Sequence, residues 1–137
     1  MNPTSEDVCN LIDGVSSLGL TKLDGTGSGN LCFGREPTKP DNIVTVQDNP
    51  GAAPMLTLRQ SESSYFYSSV NIRVRNTDYR TGYSVIKSIL DYLHGLSGVT
   101  EGGTTYLLFK AMEDPQILAY DDNDRPIWIC NFEVHRK

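Results

Sequence analysis

Few residues in this chain have the types and spacing that bond-making chemistry demands. Of the 2 histidines, His94 falls near the end of an expected helix and His135 beside Arg136 and Lys137. Neither has a base, acid or metal-ligand partner at a useful spacing, so both read as solvated. The 3 cysteines, Cys9, Cys32 and Cys130, are odd in number and lack Cys-x-x-Cys spacing. That argues against a disulfide framework and a zinc site, and the apolar neighbours of each suggest a small buried hydrophobe. Gly25-Thr26-Gly27-Ser28-Gly29 has the glycine content of a phosphate loop. Such a loop must open a helix, so that N–H groups and dipole meet the anion. Here a strand pattern follows and Lys is absent, which leaves a flexible loop. Asp121, Asp122, Asn123 and Asp124 suggest calcium at first sight. An EF-hand loop started at Asp122 puts Ile127 where the turn glycine belongs, so the cluster reads as a solvated hairpin tip. No catalytic residue, no cofactor-binding residue, no cofactor and no metal ligand is assigned.

Charge patterning is the remaining signal. Between Arg59 and Leu90 stand five cations (Arg59, Arg73, Arg75, Arg80, Lys87) and two anions (Glu62, Asp78). Glu113 to Asp124 holds five anions and no cation. These blocks are either ordinary solvated faces or complementary patches, one subunit's acidic edge meeting its neighbour's basic one. In a ring the patches meet head-to-tail, which the asymmetry suits. The candidate interface residues are Arg73, Arg75, Arg80, Asp121, Asp122 and Asp124.

The elements that must position these residues follow from periodicity. A first helix is expected from about Ser5 to Ser17, with Thr4 or Ser5 as N-cap, Glu6 and Asp7 at the positive end of the dipole, and a stripe of Val8, Leu11, Ile12 and Val15. A second, from about Asp78 to Leu96, is capped by Thr77 or Asp78. Its stripe is Tyr79, Tyr83, Ile86, Leu90 and Leu93. Strands are expected at 31–34, 43–46, 65–76, 104–112, 117–120 and 127–134, with a further short one possible in 52–62. In the third, Val70, Ile72 and Val74 alternate with Asn71, Arg73 and Arg75, giving one buried and one polar face. Residues 24–30, 49–64 and 98–103 read as mobile loops. Two helices are too few to cover both faces of a parallel sheet. The expected fold is therefore α+β: a mixed, largely antiparallel sheet with two helices packed on one face.

At 137 residues and a formal charge of −5, the chain fits a single domain spanning 1–137. The acidic balance argues against a general phosphate-binding surface. No apolar run approaches the ~20 residues of a membrane-spanning helix. The opening Met1-Asn2-Pro3-Thr4-Ser5-Glu6-Asp7 lacks the basic and apolar regions of a signal peptide, which suggests a cytoplasmic chain.

The order of short motifs resembles a known family. Leu18-Gly19-Leu20, Asn30-Leu31-Cys32-Phe33-Gly34, Pro37, Pro40-Asp41-Asn42-Ile43-Val44 and Asp48-Asn49-Pro50-Gly51 are similar to the first half of the tail terminator, or minor capsid, proteins of long-tailed bacteriophages. The arginine-bearing strand, the long helix, and the closing Pro126-Ile127-Trp128 and Asn131-Phe132-Glu133-Val134 fit the second half. Pro50-Gly51 stands where that pattern has a double glycine. The resemblance implies a structural protein of the virion, assembled in the bacterial cytoplasm. It implies a hexameric ring on the head-proximal end of the tail tube, which stops tube elongation and offers a joining surface to the head connector. The tube and connector proteins are then its partners, and DNA only passes through the lumen. A neck or connector protein of the same virion is the alternative within this class. A small enzyme or ligand-binding domain, with Tyr65, Tyr67 and Arg73 lining a pocket, is the alternative outside it.

Overall fold

The computed structural model describes residues 1–56 and 63–137. Its elements, in chain order, are α1 (Thr4–Ile12), β1 (Leu31–Phe33), β2 (Ile43–Asn49), β3 (Met55–Leu56), β4 (Ser63–Arg75), α2 (Tyr79–Leu93), β5 (Val99–Glu101), β6 (Thr104–Ala111), β7 (Gln116–Tyr120) and β8 (Pro126–Arg136). The main sheet path is β1-β2-β4-β8-β6-β5, with β3 added to β4 and β7 to β8. Among the described strands only β1 and β2 pair in parallel, joined by an isolated parallel bridge from Lys22 to Leu31; the other pairs are antiparallel. The α+β class is as expected.

Two long strands organise the sheet. β4 carries β2 and then β3 along one edge. β8 carries β6 and then β7 along its far edge. Each outer pair is one strand path, interrupted at residues 50–54 and 112–115. The sheet's helix-side face holds Val44, Val46, Val70, Ile72, Val74, Cys130, Phe132 and Val134. Val8, Cys9 and Ile12 of α1 and Ile86, Ile89, Leu90 and Leu93 of α2 join this one core, so both helices pack on the same face.

The helices are shorter than the periodicity suggests. α1 ends at Ile12 because the chain folds back, with Gly14 N–H donating to the Leu20 carbonyl, and Val15 lies half-exposed outside the core. Its cap is tertiary rather than local. Neither Thr4 nor Ser5 caps it; the Asp48 carboxylate on β2 accepts from Ser5 N–H at 3.0 Å and from Ser5 Oγ at 2.6 Å. α2 is capped as expected, Asp78 accepting from Thr81 N–H at 3.0 Å and from its hydroxyl. Those bonds hold the Asp78 carboxyl below its usual pKa. α2 stops at Leu93, and Gly95 beyond it takes φ +86°.

The segment 98–103 is not a loop. Val99–Glu101 pairs with β6 through a two-glycine turn, Gly102 and Gly103, both at positive φ. Positive φ at both central residues is what a tight hairpin turn matching strand twist requires. A Cβ on Gly102 would also stand 2.5 Å from Asp7 Oδ1, so nothing larger fits. Arg59, Glu62 and most of the expected short strand in 52–62 lie outside the described residues, apart from β3 at Met55–Leu56.

Candidate functional site

The sheet's second face, turned away from the helices, carries Asn71, Arg73 and Arg75 of β4. It is covered rather than solvated. Arg75, with 4% of its side chain exposed, donates from Nε to the Asp41 carbonyl at 3.1 Å and from one terminal nitrogen to the Thr38 and Pro40 carbonyls at 3.1 and 2.6 Å. Arg73 pairs with Glu36 at 3.0 Å. Arg125, also buried, donates to the Thr38 carbonyl, to Asp41 Oδ1 at 2.9 Å and to Asp121 Oδ2 at 2.7 Å. Three arginines thus clamp the segment 36–42 onto the sheet. Burial would raise the Asp121 carboxyl pKa, but the backbone N–H and guanidinium of Arg125 outweigh it and hold it low.

Arg73, Arg75 and Asp121 are committed to contacts within the chain, and Arg75 and Asp121 belong to one network instead of two separate patches. Arg80 on α2, Asp122 and Asp124 are exposed. Sequence reasoning missed the central role of Arg125, because nothing local marks an arginine between a turn aspartate and a proline as buried.

Further along the same face, Asn71 donates to Asn49, Asn49 to Asn131, and Asn131 to Glu113, at 2.7, 2.9 and 2.8 Å. Beyond them Tyr65 Oη meets His135 Nδ1 at 3.0 Å, and His135 Nε2 meets Glu133 Oε1 at 2.5 Å. His135 is therefore a half-buried member of β8, not a solvated tail residue. His94 is exposed, but its Nδ1 accepts from Ala111 N–H at 3.0 Å, tying the end of α2 to β6. Tyr65 and Tyr67 pack on His135, whereas Arg73 is engaged with Glu36, so the three do not line a common pocket. Tyr67 instead borders an open cleft of about 260 Å³ with Pro50, Gly51, Met112 and Glu133.

The cysteines divide. Cys9 and Cys130 are buried, and burial pushes each thiol up to about 12. Cys32 is only half-buried, with its sulfur 3.4 Å from Thr45 Oγ1 on the second face. Among the described residues no group of three or more His, Cys, Asp or Glu side chains could hold a metal ion. No described helix is long and apolar enough to cross a membrane.

The exposed apolar surface lies elsewhere. Trp128 of β8 donates from Nε1 to the Tyr79 carbonyl, and the rings of Tyr79 and Tyr83 pack on it at 4.8 and 5.2 Å. Both tyrosines stay largely exposed, although their spacing places them in the apolar stripe of α2. Ile117 sits opposite Trp128 in the register of β7 with β8. Ile117, Leu118 and Tyr120 are 37%, 48% and 59% exposed, so every large apolar side chain of β7 faces solvent. Among the described residues β7 pairs with β8 alone, leaving its outer edge open. A strand with an open edge, no Lys and exposed Ile, Leu and Tyr is unprotected against pairing.

The described residues thus form an α+β fold whose polar clusters serve its own loops and whose open strand β7 exposes Ile117, Leu118 and Tyr120. The family model described as bacteriophage tail terminator protein matches residues 15–137, and the chain belongs to that family, a phage structural protein and virion component. No curated protein matches it.

Proposed function

We propose that this chain is the tail terminator of its phage: a hexameric ring that caps the head-proximal end of the tail tube, stops elongation and presents the head-joining surface. The family match over residues 15–137 carries this reading. The open, apolar β7 edge supports it, since a ring subunit needs a surface that only a neighbour satisfies. Its partners are further copies of itself, the tube protein and the head connector, with DNA passing through the lumen. It works by binding, without catalysis. Arg80, Asp122 and Asp124 are exposed and belong to the contact surfaces; Arg73, Arg75 and Asp121 act indirectly by holding the 36–42 segment and the 121–125 turn in place. The loop at 24–30 serves tube or connector contacts, because exposed loops can adjust on binding.

The test is to mix the purified protein with tail tubes from a terminator-deficient phage and image them by electron microscopy. Added density at one tube end, with those tubes gaining competence to join heads, is the expected result. Bare tube ends at protein concentrations well above those of the ends would overturn it.

A further inference from the structure

We infer that β7 is one half of a head-to-tail contact between copies of this chain, and that the other half is the opposite edge of the same sheet, around β1 and the 35–40 segment. This rests on the ring reading above.

The register carries the argument. Leu31, Val44, Val74, Trp128 and Ile117 form one continuous row across β1, β2, β4, β8 and β7. In that part of the sheet β7 forms one lateral edge, and the other is β1 together with residues 21–23, which are bridged to its outer side at Leu31. A contact joining unlike edges cannot close as a two-fold dimer; it repeats, and closes only as a ring.

The two edges also complement each other chemically. β7 offers Ile117, Leu118 and Tyr120 between the exposed carboxylates of Asp114 and Asp122, within a stretch from Glu113 to Asp124 that contains no cation. The β1 edge offers exposed Phe33 and an open apolar groove of about 420 Å³ bounded by Leu23, Pro40 and Lys39. Lys39, which lines it, is exposed, and so is Arg35, two residues beyond the end of β1. Of the anions nearby, Asp24 accepts two hydrogen bonds from Thr26 within its own loop, Glu36 is paired with Arg73, and Asp41 is paired with Arg125, which leaves Arg35 and Lys39 as the unbalanced charges. An acidic-rimmed apolar strand therefore faces a cationic apolar edge, which favours a second copy of this chain as the occupant.

Charge reversal tests this with the full chain. One variant carries Asp114→Lys and Asp122→Lys, the other Arg35→Glu and Lys39→Glu. All four positions are exposed, and unchanged melting temperatures confirm that each variant folds. Chemical cross-linking in solution and ring occupancy on tube ends are measured for each variant alone and for the mixture. Like charges then meet at every contact of either pure variant, so its assembly falls roughly tenfold or more. Mixed one to one, the variants alternate, every contact regains opposite charges, and even-numbered rings return.

A pure variant that assembles like the unaltered protein, or a mixture that fails to recover, overturns the edge assignment while leaving the terminator reading intact. Cross-links from β7 to the tube protein instead of a second copy do the same. Unaltered protein that neither cross-links to itself nor caps tubes overturns both.

Discussion

Arg75 stands on a strand whose alternation marks its odd positions as polar, yet the residue is as buried as its apolar neighbours. A guanidinium has five donors in a rigid fork, and here three of them reach backbone carbonyls while the other terminal nitrogen lies near Glu36. Arg75→Met would leave the Asp41 and Pro40 carbonyls without this donor, while Thr38 keeps its bond from Arg125. It should cost about 2–3 kcal/mol in urea denaturation, whereas Arg80→Met on exposed α2 should stay within about 0.5 kcal/mol. Equal effects would show that Arg75 does not clamp the segment. The thiols give a prediction in pH. Cys9 and Cys130 are pushed up to about 12 in the folded chain, above the ordinary thiol value near 9. The unfolded chain therefore releases these protons first. The stability they contribute is fully present below about pH 9 and falls as pH rises toward 12. Replacing both by Val should flatten that alkaline decline in a denaturation series, and Cys32 should be the first thiol to react with a maleimide.

At the scale of elements, α2 fits β8 through a glycine. A Cβ on Gly82 would lie 2.9 Å from Trp128 Cδ1 and 3.3 Å from Asn76 Cβ. Alanine is the better helix former by about 1 kcal/mol, so propensity alone predicts that Gly82→Ala stabilises. The ring of Trp128 is fixed by its bond to the Tyr79 carbonyl and by two tyrosine rings, so it cannot move freely. Gly82→Ala should therefore lower stability by about 1 kcal/mol, and a rise in melting temperature would refute the close fit. α1 depends in a similar way on a distant partner. Asp48→Ala removes the acceptor of Ser5 N–H and should cost about 1 kcal/mol, with fraying of 4–8 in hydrogen exchange.

Across the whole molecule, the proposed assembly puts stability and self-association on different surfaces. The core and the arginine clamp hold the fold, and the β7 edge, open among the described residues, is the one proposed above to meet a neighbour. Leu118→Asp should accordingly leave the monomer within about 0.5 kcal/mol of the unaltered protein, because the side chain is already half in water. The same change should abolish self-cross-linking and tube capping. A loss of folding together with assembly would mean that β7 serves the domain rather than the ring.

Sequence alone determined what local periodicity encodes. The 3.6-residue stripe of α2, the alternation of β4 and the 121–126 turn between two strands all appear where their patterns place them. The motif order pointed to the right family. Long-range register escaped it. That Asp48 would cap α1, that Arg75 and Arg125 would share the Thr38 carbonyl, and that His135 would pack on Tyr65 depend on contacts made across 37 to 87 residues. A charge in sequence carries no mark of whether its partner is water, a distant carbonyl or a neighbouring subunit. Only the tertiary structure decided that, because burial is a property of the packed sheet: it drew Arg75 in beneath the 36–42 segment and left Ile117, Leu118 and Tyr120 on an open edge.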